Sequence, residues 1–223
     1  MTLYLLLIIP IIITAGAQCL ISARYSKYSK VKNMKGMSGA EIAREILSKY
    51  DLDEVYVVEV KGSLTDHYDP GQNVIRLSTK VYRDASIASA AVAAHEVGHA
   101  IQYKEGNFFI KLRKIIFPLV NFSSKLGYVA IVVGLLFGIL QLIYVGIGML
   151  IAILFFQLVT LPVEFDASRK AMVCLEKYQF LLSDERKGAR KVLTAAALTY
   201  VAGLVTTLLE ILRLILIVVG NRD

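Results

Sequence analysis

Cysteine, histidine and, over long stretches, charge of either sign are scarce in this chain of 223 residues. The two cysteines, Cys19 and Cys174, stand far apart in different surroundings, which excludes a disulfide framework and suits a reducing compartment. No internal repeat and no low-complexity linker is present, so a solenoid or a tethered array is excluded. No aromatic-rich basic surface or nucleic-acid motif accompanies the formal charge of +7, and nucleic acid is therefore not an expected partner. Basic residues beside membrane spans account for that charge.

What the chain has instead is hydrophobicity, at 56% of residues and a mean hydropathy of +0.59, with the charges gathered in blocks between apolar runs. Such segregation is hard to build into a water-soluble core and points to membrane helices. Residues 3–21 are uncharged and about the length of one span, with Pro10 no more than a kink. The "AGA" at 15–17 resembles a signal-peptidase site. The first residues nevertheless lack a basic n-region, so an uncleaved anchor over 1–23 is expected. Arg24, Lys27, Lys30, Lys32 and Lys35 follow it and place its C-terminal end in the cytoplasm.

Between 115 and 163 Lys125 is the only charge, which predicts two spans in 116–163, at about 120–140 and 144–163, turning near "QLIYVGIG". Gly134 and Gly138 form a GxxxG pair suited to close helix approach, within the bundle or between copies, so the oligomeric state stays open. Residues 164–192 are rich in Lys and Arg and read as a second cytoplasmic segment, before a last apolar stretch in 193–223. That stretch carries Glu210 and Arg213, three apart. They read as a structural ion pair, as the end of a shorter span, or as the lining of a functional cavity.

The polar block at 24–115 reads as a small folded portion. "SGAEIAREILSKY" opens with Ser38 and Glu41 at capping-box spacing and continues with helical periodicity to Tyr50. "EVYVVEV" (54–60) and "NVIRLS" (73–78) are β-branched runs around a Gly-, Asp- and Pro-containing stretch, which predicts a hairpin. Residues 86–104 form an Ala-rich helix ended by Gly106.

That helix contains "AAHEVGHAIQ" and with it two of the three histidines. Imidazoles at i and i+4 share a helix face and can converge on one zinc ion, so His95 and His99 are candidate ligands. Glu96 lies beside them, placed to act as general base toward a zinc-activated water. No cysteine lies near the histidines, which argues against a closed structural zinc site. A third protein ligand is needed. The metzincin extension is closed, because Gln102 and Glu105 stand where glycine and histidine belong. Glu164, His67 and Glu105 remain as candidates. Glu164, just past the third span on the cytoplasmic side, leads, whereas Glu105 points to another helix face.

"AAHEVGHAIQ", "LTDHYDP", "VIRLS" and "LPVEFDASRKA", in this order among apolar spans, resemble the YugP-like neutral zinc membrane metallopeptidases. The resemblance implies a glutamate-zincin holding one Zn2+ per chain on His95, His99 and Glu164, with Glu96 as general base. Many glutamate-zincins carry ExxxD, whose aspartate supports a histidine ligand. Here the fourth residue after Glu164 is Ser168, leaving Asp166 as the candidate for that supporting role. His67, on the predicted turn, reads either as a solvated histidine or as a donor to the oxyanion of the tetrahedral intermediate. Asn73, Val74, Ile75, Arg76, Leu77 and Ser78 form the expected substrate strand, since zincins bind peptide along a strand edge beside the HExxH helix.

The expectation is thus an α+β membrane protein, mainly helical, with about four transmembrane helices and a small zincin-like cytoplasmic catalytic portion containing a short β-hairpin or sheet. Its expected activity is zinc-dependent endoproteolysis of membrane-associated or misfolded polypeptides at a bacterial cytoplasmic membrane. The rivals are a non-cleaving scaffold or chaperone with a zincin fold, and a small transporter using Glu210 and Arg213.

Overall fold

The long apolar runs become long helices in the computed structural model of the chain, in which residues 2–220 are described. In chain order the elements are α1 (Thr2–Ser29), α2 (Gly39–Lys49), β1 (Tyr56–Val60), β2 (His67–Asp69), β3 (Val74–Ser78), α3 (Thr79–Arg83), α4 (Ile87–Lys104), α5 (Phe108–Phe137), α6 (Leu140–Lys177) and α7 (Ser183–Gly220). They fall into two units. One takes Met1–Gln18, Phe108–Pro162 and Leu198–Asp223; the other takes Cys19–Asn107 and Val163–Ala197.

Helices α1, α5, α6 and α7 are each long and apolar enough to cross a membrane. In the first unit, large apolar side chains such as Ile11, Phe117, Leu136 and Phe155 are exposed, as suits a surface whose solvent is hydrocarbon. The break between α5 and α6 falls at Gly138, which adopts φ +66°, a left-handed conformation that ends a helix at little cost for glycine. The break is therefore earlier than expected, and all of "QLIYVGIG" lies inside α6. The GxxxG reading changes with it. A Cβ on Gly134 would lie 2.8 Å from Ile143 Cγ1, so Gly134 serves close packing, whereas Gly138 faces open space and serves the turn. Arg213 and Glu210 form a two-pronged ion pair of 2.9 and 2.5 Å, which is the first of the three readings for those residues.

In the second unit the segment over 164–192 is the end of α6, a short turn and the start of α7. Helix α2 begins as its sequence dictates. The Ser38 hydroxyl accepts from the Glu41 N–H at 3.3 Å, and Glu41 accepts from the Ser38 N–H at 2.7 Å, closing a capping box. Ile42, Ile46 and Leu47 on its buried face join Ile75, Leu77, Val81, Val97 and Leu175 in one core. Each such side chain contributes about 1.5–3 kcal/mol by leaving water.

The strand pairing departs from the expected hairpin. Tyr56–Val60 and Val74–Ser78 run parallel, and β3 lies between β1 and β2 in the order β1-β3-β2. The hairpin is the one between β2 and β3, antiparallel, with Tyr68 opposite Ile75. Its first strand is three residues long and lies inside the segment whose composition signals a turn. The burial of β3 explains its central place, because four of its five residues are buried, whereas an edge strand alternates.

Candidate metal centre

Helix α4 is buried on most sides, and its many alanines permit that. Its N-terminus is held by the Ser86 hydroxyl, which accepts from the Ser89 N–H at 3.0 Å. The remaining face, carrying His95 and His99, turns toward α6. Gly98 sits between the histidines, and there the two helices come so close that a Cβ would lie 2.6 Å from the Ala167 carbonyl oxygen. The glycine of HEVGH is thus a contact point that lets α6 present Glu164 to the imidazoles.

The three side chains converge. The Glu164 carboxylate is buried, and its Oε2 lies 3.4 Å from His95 Nε2 and 3.6 Å from His99 Nε2. One ligand atom from each of the three lies within 4.8 Å of the others. Four ligands at about 2.1 Å around one zinc are separated from each other by about 3.4 Å in a regular tetrahedron. The two imidazole-to-carboxylate distances match that edge, and two nitrogens with one oxygen form a donor set that zinc accepts. The residues present therefore fit a zinc ion held by three protein ligands.

The outward ring nitrogens are engaged as well. His95 Nδ1 lies 3.2 Å from the Ser168 hydroxyl, and His99 Nδ1 lies 3.1 Å from Gln102 Oε1. Both Nε2 atoms are thereby left toward Glu164. Ser168 thus stands beside His95 at the position where ExxxD proteins carry aspartate. Asp166 touches neither histidine. It accepts from Gln102 Nε2 at 2.8 Å and from Arg169, so any support it gives to His99 passes through Gln102. Sequence reasoning named Gln102 only as a missing glycine and missed its contact, for which i+3 spacing from His99 was the available signal.

Glu96 is buried on the same helix, and its Oε2 accepts from the Tyr68 backbone N–H at 3.0 Å. Burial pushes its pKa up to about 7. A divalent cation nearby would draw it down again. The bond from Tyr68 also shows how the sheet meets the helix, for the amide in the middle of β2 is aimed at Glu96 and away from β3.

The other named residues lie elsewhere. Glu105 is exposed and pairs with Lys170 at 2.6 Å, so it is not brought to the cluster. His67 is exposed, with Nδ1 2.8 Å from the Thr65 carbonyl oxygen. A carbonyl only accepts, so that nitrogen carries the hydrogen, and only the imidazolium can offer a second N–H from Nε2. Residues 73–78 do not form an open edge, because β3 is paired on both sides. The open edge beside Glu96 belongs to β2.

Known proteins resemble the chain over most of its length. The family described as "putative neutral zinc metallopeptidase" matches residues 3–219. A protein of Bacillus subtilis (strain 168) named "Putative membrane protease YugP" is 45% identical over 207 residues, covering 93% of this chain and 92% of the relative. No solved structure matches the chain.

Proposed function

Since the chain belongs to this family of neutral zinc metallopeptidases, we propose that it is an integral membrane endopeptidase that holds one zinc ion on His95, His99 and Glu164. The observation carrying this reading is the convergence of two imidazole nitrogens on one buried carboxylate at tetrahedral-edge distances. When bound, zinc supplies Lewis acidity, lowering the pKa of a water and polarising the scissile carbonyl.

The chain's own residues do the rest. Glu96 takes the proton from the attacking water and delivers it to the departing amine, and its burial keeps the carboxylate a competent base. Ser168 and Gln102 hold the two rings with Nε2 inward. An extended substrate adds to the open edge of β2, where Tyr68 already directs its amide toward Glu96. His67, one residue away, serves an oxyanion only as imidazolium.

Glu164 follows directly on the apolar part of α6, so the reaction suits polypeptides at the bilayer surface, including misfolded membrane proteins. The basic segments at 24–35 and 164–192 support the reading that this surface faces the cytoplasm of a bacterial cell. The direct test is cleavage of a denatured membrane protein by the purified chain in detergent. Cleavage lost on chelation and restored by zinc supports the proposal, and cleavage indifferent to chelation defeats it.

A further inference from the structure

We infer that Gln102 is a positioning residue whose amide, locked in one orientation, fixes the nitrogen that His99 presents to the metal. This rests on the metallopeptidase reading above. Gln102 is fully buried, one turn beyond His99 on α4. Its Nε2 lies 2.8 Å from the Val163 carbonyl oxygen and 2.8 Å from Asp166 Oδ2. Neither neighbour can donate, so the amide nitrogen belongs at that end. Oε1 then faces His99 Nδ1 as an acceptor, at 3.1 Å. An acceptor there requires the hydrogen on Nδ1 and leaves the lone pair on Nε2, toward Glu164.

His95 has no such lock. Its Nδ1 faces the Ser168 hydroxyl, which either donates or accepts. The two ligand histidines are therefore unequal. One is committed to its metal-facing tautomer before an ion arrives, and the other adjusts. Asp166, held by Arg169 on its own helix, acts one step back by anchoring the amide. The inward carbonyl of Val163, the residue before Glu164, is the second anchor, so the clamp also ties His99 to the segment that carries the carboxylate ligand.

The test is the zinc dissociation constant of the full chain in detergent, measured by chelator competition for wild type, Gln102→Met and Asp166→Ala. Methionine keeps the volume and removes the amide. The expected result is zinc binding about 10–100-fold weaker for Gln102→Met, with a smaller loss for Asp166→Ala, whose amide still has Val163. Wild-type affinity in a folded Gln102→Met chain overturns the inference while leaving the metallopeptidase reading intact. A wild-type chain that binds no zinc defeats both.

Should the methionine variant not fold, histidine 15N NMR of the wild-type chain freed of zinc decides, at a pH where the imidazoles are neutral. Spectra of His67→Gln and His95→Gln assign the three rings. A hydrogen on Nδ1 of His99 supports the clamp, and an Nε2–H form contradicts it.

Discussion

At the scale of single residues the centre depends on groups that are polar and buried together. Glu164 is 2% exposed and faces two imidazoles, a cluster with strong demand for a cation. Replacing it with alanine removes one of the three proposed ligands, and zinc should then be lost on dialysis that leaves wild type loaded, as metal analysis would show. The reach of the sequence was uneven here. His95, His99 and Glu96 are legible because helical spacing alone puts them together. Glu164 is legible through its segment and its place beyond a span. Ser168 is not, because its meeting with His95 depends on how α4 lies against α6; Gln102 has the right i+3 spacing from His99, but its lock on Val163 and Asp166 again depends on α6.

At the scale of elements, Gly98 and the capping box give separate predictions. Gly98→Ala would place a methyl group 2.6 Å from the Ala167 carbonyl and push α6 away from the histidines. Zinc affinity should fall more than thermal stability does, as parallel binding and melting measurements on the variant would reveal. The cap of α2 has a pH signature. The Ser38 N–H and hydroxyl both donate to the Glu41 carboxylate and hold its pKa below the ordinary range. The folded pKa being depressed, the contribution is present above the unfolded value and disappears as pH falls through the folded one. The stability difference between wild type and Glu41→Ala should be level near neutrality and shrink below about pH 4, as melts across pH would record.

The sheet shows the limit of reading elements from composition. β-branched runs located β1 and β3 but not their partners, because pairing is a tertiary choice and β2 is too short to signal itself. The buried pattern of β3, "VIRLS" with an arginine in the middle, was the available hint of a central strand.

At the scale of the whole molecule, the distribution of charge made the membrane character plain, and among the described residues four helices of spanning length carry it. The proposed orientation rests on the basic segments. Cys174 is buried against Tyr50 and makes a poor reporter of it. A cysteine at the exposed Lys187 is a better one. In a chain whose exposed Cys19 is replaced by serine, Lys187→Cys should resist an impermeant thiol reagent in intact cells and react after lysis, and reaction in intact cells would reverse the proposed sidedness.

The most direct measurement is metal content and peptide cleavage determined together on wild type and Glu96→Gln. The account predicts about one zinc per chain in both, with cleavage about 10^2–10^4-fold slower in the variant. Equal cleavage by the two chains, or a wild type that cleaves without zinc, would contradict it.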